Sequence, residues 1–258
     1  MPWTKDRHQA AIYFEKEGRG VPLLFVHPPA MGHVTFRRQK NGLSKKFKVI
    51  TLDLRGNGRS GNDDRPLSMA LLAQDVIRVL DAARVKRAFI CGYSNGGSIV
   101  QEVAIRYPDR VCGIILLGGF SEVNSFLLRN EFRAGILAAK AKQMTLISRV
   151  LAVAHERDSE KKRQLRHYIR KMSPSVLEEY YRLGLAYKST ERLECIYCPV
   201  LLLYGRRDDY VHHYRHLFHK NVTGPVEQVL VDDVGHQLPT KKASAVQQVI
   251  TRFILQYH

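Results

Sequence analysis

Short apolar runs alternate with segments of helical periodicity along most of the chain. Continuous apolar runs of strand length lie at residues 21–26, 48–54, 87–91, 111–119, 199–204 and 226–231, and such runs are typical of strands that are buried in a parallel sheet. Apolar residues at helical spacing follow Ser68, occupy residues 95–107 up to Pro108, and recur at residues 243–257. Strands and helices are therefore predicted to alternate on either side of a long central segment.

That central segment, between Gly119 and Cys195, contains no apolar run that resembles a central strand. Residues 132–153 and 161–187 instead show helical periodicity with many charged positions. We predict that residues 1–120 and 193–258 form the core of the protein and that residues 121–192 form a helical cap.

The sequence Gly92-Tyr93-Ser94-Asn95-Gly96 joins the apolar run at 87–91 to the helical segment at 95–107. A strand that turns sharply into a helix through G-x-S-x-G has the pattern of a nucleophile elbow. Glycines two residues either side of the serine let strand and helix pack closely. The serine hydroxyl is then exposed at a helix N-terminus, where free N–H groups favour negative charge. The same letters also fit an ordinary Gly/Ser turn, so the context decides.

The context supplies the two partners that a serine nucleophile needs, a histidine to take its proton and a carboxylate to orient that histidine. Asp208 follows the apolar run at 199–204, within G-R-R-D-D-Y-V, and His236 follows the run at 226–231. Open α/β sheets collect functional side chains at the carboxyl ends of their strands. Ser94, Asp208 and His236 are therefore expected to meet at one edge of the sheet.

With these motifs, and with D-L-R-G-N-G-R-S at residues 53–60, the chain resembles the α/β-hydrolase superfamily over nearly its whole length. The resemblance implies an eight-stranded, mostly parallel sheet with helices on both faces and a helical cap. It also implies Ser94 as nucleophile, Asp208 as acid and His236 as base. The expected reaction is hydrolysis of an ester or related acyl compound through an acyl-enzyme, with no cofactor. For Arg55 and its neighbouring glycines the structural interpretation, a turn beside the pocket, is preferred.

Two other carboxylates compete with Asp208 for the role of the acid. Asp209 is adjacent, but neighbouring side chains on an extended segment point to opposite sides, so only one of the two can face His236. Glu122 follows the apolar run at 111–119, a position from which some relatives take their acid. The family pattern favours Asp208.

The loop after the first long central strand departs from the family pattern. Relatives carry His-Gly-x there and use the backbone N–H of x to bind the developing oxyanion, together with the N–H after the serine. Here His27 is followed by Pro28 and Pro29, and neither proline has an N–H to donate. Asn95 keeps the second donor. The first must come from Ala30 or Met31, or the oxyanion hole is weaker than usual.

Pro29, His33 and Tyr93 are predicted to contact the substrate because they lie beside this loop or the elbow. His27, at the start of the loop, is interpreted as a structural residue that holds the loop in place. The four histidines at 212, 213, 216 and 219 lie close together, but no carboxylate is placed as in zinc-binding helices. They are interpreted as part of an exposed helix, and no metal site is predicted.

The chain of 258 residues carries a formal net charge of +17, and its predicted cap contributes 15 Lys/Arg against 8 Asp/Glu. No aromatic stacking motif or basic helix-turn-helix signal accompanies the charge. We therefore expect a solvated basic surface rather than a nucleic-acid partner, with some attraction of anionic substrates as a weaker possibility. The expected partner is a small acyl substrate, and the oligomeric state is not predicted.

The N-terminal residues lack an apolar leader segment, and no stretch has the ~18 apolar residues of a membrane span. The sequence therefore predicts a cytoplasmic protein that does not bind membranes. Cys195 and Cys198 have the spacing of half a zinc site, but the chain has no second pair and the spacing is attributed to chance.

Other functions remain open from the sequence alone. Carbon–carbon bond hydrolases, perhydrolases and some lyases share the same triad, so the sequence does not separate them from esterases. A ligand-binding or signalling protein that turns over slowly is the alternative from another class, and the proline-containing loop at residues 28–29 supports it.

Overall fold

The computed structural model describes residues 3–4 and 9–258. Within them, seven strands form one sheet in the order β1-β3-β2-β4-β5-β6-β7. Strand β1 pairs with β3 in antiparallel fashion, and all other pairs are parallel. The strands are β1 Phe14–Glu17, β2 Pro22–Val26, β3 Lys48–Leu52, β4 Ala88–Tyr93, β5 Val111–Leu117, β6 Val200–Gly205 and β7 Val226–Val231.

The described residues also form ten α-helices and four short 3₁₀ segments. The α-helices are α1 Arg37–Leu43, α2 Met69–Ala82, α3 Asn95–Arg106, α4 Phe126–Lys140, α5 Met144–His155, α6 Ser159–Ile169, α7 Pro174–Ala186, α8 Arg215–Asn221, α9 Leu238–Lys241 and α10 Ala243–Tyr257. The 3₁₀ segments are His33–Phe36, Pro108–Arg110, Thr190–Cys195 and His212–Tyr214.

The predicted mostly parallel sheet is confirmed, but the number of strands is seven rather than the expected eight. Outside the seven strands, the described residues contribute a single isolated bridge between Trp3 and Tyr13. One bridge does not make a ladder of hydrogen bonds, so residues 3–4 do not extend the sheet by a further strand.

The central strands are uniform in burial because helices cover both faces of the sheet. All residues of β4 and β6 are buried. Helix α2 begins where predicted, since the Ser68 side chain accepts a hydrogen bond from the Leu71 N–H at 3.1 Å. Helix α3 ends at Arg106, two residues before Pro108.

Between β5 and β6 the chain forms four α-helices, α4 to α7, and the 3₁₀ segment Thr190–Cys195, but no strand. We call α4–α7 the cap helices. Helices α4 and α7 pack closely against each other, as do α5 and α6. The predicted domain boundaries at 120/121 and 192/193 themselves stay a prediction. No helix in the described part of the chain combines the length and the apolar character that crossing a bilayer requires.

Candidate active site

Ser94 lies at the turn between β4 and α3, at the point where the order of the strands reverses. From β2 the chain continues to β3 on one side, and β4 then pairs with β2 on the other side. Loops after two such strands diverge and leave a crevice at the carboxyl ends, which is where open α/β sheets bind their ligands. The loop after β2 and the turn after β4 both open at this crevice.

The turn itself requires its glycines. Ser94 has φ 52° and ψ −127°, an unfavourable backbone conformation for a residue with a side chain. A Cβ at position 92 would lie 2.6 Å from the Gly97 Cα, and one at position 96 would lie 2.4 Å from the Val26 carbonyl oxygen. Strand, helix and neighbouring strand therefore pack against a backbone without side chains. This packing holds Ser94 in its strained conformation.

Asp208 and His236 come from adjacent loops at the same edge. Asp208 follows β6 by three residues, and His236 lies between β7 and α9. The parallel pairing of β6 with β7 brings both loops to one end of the sheet. The Asp208 Oδ2 lies 2.7 Å from the His236 Nδ1, so Nδ1 donates to the buried carboxylate and Nε2 is left for another partner.

The two rival carboxylates lie elsewhere. Asp209 is exposed, and it makes no hydrogen bond to His236 in the described part of the chain. Glu122 accepts hydrogen bonds from the Thr190 Oγ1 at 2.7 Å and the Asn124 Nδ2 at 2.5 Å. Of the three candidates, Asp208 is the one that contacts His236.

The surroundings of His236 favour its protonated form. Burial lowers the pKa of His236, but the hydrogen bond and the charge of Asp208 outweigh it, and Glu131 adds a smaller contribution. The pKa of His236 therefore lies above its ordinary value. An imidazole that becomes more basic next to a fixed carboxylate is suited to accept a proton from a nearby hydroxyl.

Ser94 and His236 line one cavity of about 330 Å³, a size that suits a small organic ligand. The structure records no direct hydrogen bond between the two side chains across this cavity. Predicted site residues Pro29, Tyr93 and Asn95 line it as well. The cap helices supply the opposite wall through Leu128, Glu131, Phe132, Val150, Leu151, Ala154, His155 and Tyr181.

The loop after β2 forms a tight turn that engages the predicted oxyanion donor. The Met31 N–H donates to the Pro28 carbonyl at 3.3 Å. Pro29 and Ala30 occupy the middle of the turn, and Ala30 has φ 70°, as position three of a type II turn requires. The Ala30 N–H donates to the Asn57 Oδ1 at 2.7 Å. The prediction that Ala30 stabilises an oxyanion would need this hydrogen bond to break.

Two other backbone donors remain at the cavity. Asn95 is the first residue of α3, so its N–H has no acceptor within the helix. Met31 lines the cavity, and its hydrogen bond of 3.3 Å to Pro28 is long for an amide donor. His27 holds the turn from below, since its Nε2 accepts from the Leu54 N–H at 2.8 Å and its Nδ1 lies 2.7 Å from the Pro28 carbonyl. These contacts support the structural interpretation of His27.

His33 does not line the Ser94 cavity. It borders a second cavity of about 430 Å³, together with Arg59, Lys161 and Tyr168. The His33 Nδ1 lies 2.9 Å from the Asp53 Oδ1, and the His33 Nε2 lies 3.3 Å from the Glu15 Oε1. The chain therefore contains a second carboxylate–histidine pair, separated from Ser94 by Met31, which lines both cavities.

Sequence reasoning missed Glu131, His155, Tyr181 and Tyr210, which also line the Ser94 cavity. A signal for Glu131 was present. Leu128, Glu131 and Phe132 recur at the spacing of one helix face, so a carboxylate interrupts an apolar face of α4. The pattern does not say which cavity that face borders.

The remaining candidate residues are the possible metal ligands, the cysteines and the clustered histidines. No group of three or more His, Cys, Asp or Glu side chains there has the arrangement of a metal site. Cys195 and Cys198 are free thiols. The histidines at 212 and 213 lie in a 3₁₀ turn and those at 216 and 219 in α8. Three of the four are exposed and His212 is half-buried, so the predicted exposed helix is found for His216 and His219.

Comparisons with known proteins support the resemblance noted in the sequence. A family model described as "Serine aminopeptidase, S33" matches residues 42–242. The chain is 31% identical over 226 residues to "Putative carbamate hydrolase RutD" of Azorhizobium caulinodans, with 83% of each chain covered. It is 26% identical to "AB hydrolase superfamily protein YisY" of Bacillus subtilis, with 80% of this chain and 81% of that protein covered.

Solved structures share the fold over the whole chain. An esterase from Thermogutta terrifontis superposes with a TM-score of 0.84 at 22% identity and covers 100% of this chain and 97% of its own. An esterase from Exiguobacterium antarcticum gives a TM-score of 0.87 at 17% identity, with 98% of both chains covered. At such identities the likeness concerns the arrangement of the elements.

Proposed function

We propose that this chain, which belongs to the α/β-hydrolase superfamily, is a serine hydrolase that cleaves an ester or related acyl compound through an acyl-enzyme. The observation that carries the proposal is the Asp208–His236 hydrogen bond of 2.7 Å at the edge of the cavity that Ser94 lines. Serine, histidine and carboxylate at one cavity supply nucleophile, base and orienting group.

In the first half of the reaction, the Ser94 Oγ attacks the acyl carbon and its proton passes to the His236 Nε2. Asp208 keeps the Nδ1 proton of His236 in place and stabilises the imidazolium that forms. The tetrahedral intermediate then collapses, and the leaving group departs with the proton from His236. An acyl ester on Ser94 remains.

In the second half, a water molecule attacks the acyl carbon while His236 takes its proton. Collapse of the second intermediate returns the proton to the Ser94 oxygen and releases the carboxylic acid. The oxyanion of both intermediates is assigned to the Asn95 N–H, which the dipole of α3 reinforces. We assign the second donor to the Met31 N–H, because Met31 lines the cavity and the hydrogen bond of its N–H to Pro28 is long.

The test is covalent labelling of Ser94 together with turnover. A fluorophosphonate should label the wild-type protein at Ser94, and the Ser94→Ala variant should lose both labelling and hydrolysis by about 10⁴-fold or more. The panel should include short and bulky carboxylic esters and an alkyl carbamate, since one relative is named as a carbamate hydrolase. Labelling at another serine, with turnover intact in Ser94→Ala, would refute the proposal.

A slow ligand-binding protein is the second candidate, and the Ala30–Asn57 hydrogen bond favours it because that bond removes one oxyanion donor. The two functions differ in their affinity for a transition-state mimic. An alkyl boronic acid should bind a hydrolase at least ~10²-fold more tightly than the matching carboxylic acid. Equal affinities, without turnover of any ester, would favour the ligand-binding protein.

A further inference from the structure

Among the residues that line the Ser94 cavity, Glu131 is the one with a carboxylate, and Asp208 is linked to the cavity through its hydrogen bond to His236. Glu131 lies on α4 of the cap and lines the cavity, and no lysine or arginine lines it. Among residues 3–4 and 9–258, no donor or cation lies within hydrogen-bond or ion-pair distance of the Glu131 carboxylate. The cavity therefore presents a single carboxylate that lacks a partner in the protein.

This lack of a partner is not explained by a shortage of cations. The chain carries 41 Lys and Arg against 24 Asp and Glu, and Arg129 and Arg133 lie two residues from Glu131 on the same helix. Neither arginine lines the cavity. Within the cap helices, Glu160 pairs with Arg163 and Glu178 with Arg182. Glu131 lines the cavity without such a partner, although two arginines lie close to it along the helix.

The Glu131 carboxylate lines the cavity and is also open to solvent. Glu131 is an exposed residue, but the cavity walls around its carboxylate still raise the pKa of Glu131; His236 opposes this effect and Asp208 adds to it. Burial is the main cause that raises the pKa of Tyr181 to about 12, and the charge of Glu131 adds to it. A carboxylate that has no cation beside it can accept charge-assisted hydrogen bonds from the ammonium group of a ligand without breaking an ion pair of the protein.

The rest of the cavity suits a cation. Tyr93, Phe132, Tyr181 and Tyr210 line it, and the faces of aromatic rings attract ammonium groups, quaternary ones included. His155 does not supply the missing charge, because burial and the nearby His236 lower its pKa to about 3 and leave it neutral. A carboxylate among aromatic rings has the chemistry of an ammonium-binding site.

We propose that the Ser94 cavity selects acyl substrates that carry an ammonium group, and that Glu131 and the surrounding aromatic rings bind this group while Ser94 attacks the acyl carbon. The inference rests on the proposed hydrolase function for its reaction and on the cavity for its substrate class. It differs from what the net charge suggests, since a chain of +17 attracts anions at long range, whereas the cavity favours cations at contact distance.

Two pairs of esters isolate the charge, because in each pair a carbon replaces the ammonium nitrogen at nearly constant shape. Acetylcholine and 3,3-dimethylbutyl acetate carry the difference on the alcohol side. Ethyl β-alaninate and ethyl butyrate carry it on the acyl side. For at least one pair, the wild-type kcat/KM should be higher for the cationic ester, and Glu131→Gln should lower the cationic-to-neutral ratio by about 10-fold to 100-fold.

Glu179→Gln is the matched control. Glu179 is an exposed carboxylate on α7 of the same cap, and it does not line the cavity, so the variant removes the same charge without touching the site. It should leave the ratio unchanged. A preference for the neutral member of both pairs, or a cationic preference that survives Glu131→Gln, would overturn the inference.

Binding to the Ser94→Ala protein separates this inference from the hydrolase function. Calorimetry should show tighter binding of the cationic ester than of its neutral partner, and the difference should disappear in Ser94→Ala/Glu131→Gln. Selective binding without any turnover by the wild-type protein would leave the ammonium site standing and refute the hydrolase. Turnover without charge selectivity would support the hydrolase and refute the ammonium site.

Discussion

Two carboxylate–histidine pairs lie at the carboxyl edge of the sheet and differ in what surrounds them. Asp208 pairs with the His236 Nδ1 at 2.7 Å, and Asp53 pairs with the His33 Nδ1 at 2.9 Å. Both aspartates follow a buried strand and are themselves buried. Only the first pair borders the cavity that Ser94 lines.

The partners of each aspartate explain the difference. Besides the His33 ring, Asp53 accepts hydrogen bonds from the backbone N–H groups of His33 and Arg59, at 2.7 and 2.9 Å, and from the Tyr168 hydroxyl. In the described chain, His236 is the one side chain that bonds Asp208, whose Oδ1 has no partner. Asp53 therefore connects several segments of the chain through hydrogen bonds, while Asp208 bonds the imidazole of His236.

The second ring nitrogen separates the pairs further. The His33 Nε2 faces Glu15 at 3.3 Å, so both nitrogens of that ring are engaged. The His236 Nε2, which is free to accept a proton, has no hydrogen-bond partner in the residues that the structure describes. A histidine can act as a base only when one nitrogen reaches the reacting group, so an Asp–His pair alone does not identify an active site.

Removing each imidazole should give the largest contrast. His236→Ala should lower kcat by about 10⁴-fold or more with little change in fold, because the base is lost. His33→Ala should retain most of kcat, because His33 lies outside the Ser94 cavity, but should unfold at a lower temperature. Ester kinetics and thermal unfolding of both variants measure the contrast. Similar losses of kcat in the two variants would show that the pairs are functionally linked.

The aspartates should repeat the contrast at a smaller scale. Asp208→Asn should lower kcat by about 10³-fold or more, because an amide no longer fixes the imidazole tautomer. Asp209→Asn is the neighbouring control and should have little effect, since Asp209 is exposed. A strong effect of Asp209→Asn, or a loss that appears only in Glu122→Gln, would move the acid to another loop.

Much of the fold was predictable from short-range patterns. Apolar runs placed the central strands to within a few residues, and G-Y-S-N-G placed the turn after β4, because a strand and a helix that pack closely exclude side chains at 92 and 96. The expected eighth strand came from the resemblance alone, and the described residues form seven. Strand number is not encoded in any one local pattern.

The site was less predictable where it depends on contacts between distant segments. The hydrogen bond that engages the Ala30 N–H comes from Asn57, 27 residues away. The turn in residues 33–36 carries His33 into the second cavity rather than the first. Glu131 lies on a helix whose sequence is amphipathic like its neighbours, and only packing of the cap decides which face borders Ser94.

The smallest expected effect concerns stability in acid, which should distinguish the Asp53–His33 pair from the Asp208–His236 pair. Burial by itself raises the pKa of Asp53, but the hydrogen bond and charge of His33, with His27 and Tyr168, bring it down to about 2. Because this pKa lies below the ordinary value of 3.8, ionised Asp53 stabilises the fold above about pH 4, and the stabilisation is lost as pH falls towards 2. The loss amounts to about 2 kcal/mol.

Tyr168→Phe tests this assignment without removing the aspartate. The variant deletes one donor to Asp53, so the pKa of Asp53 should rise towards its ordinary value of 3.8. The loss of unfolding free energy in acid should then be smaller than the about 2 kcal/mol expected for the wild-type protein. Urea unfolding between pH 2 and pH 6 measures the slope in both proteins. The Ser94 cavity does not include Tyr168, so kcat at neutral pH should stay close to the wild-type value. An unchanged slope with a lowered kcat would mean that the Asp53 pair serves the reaction rather than the fold.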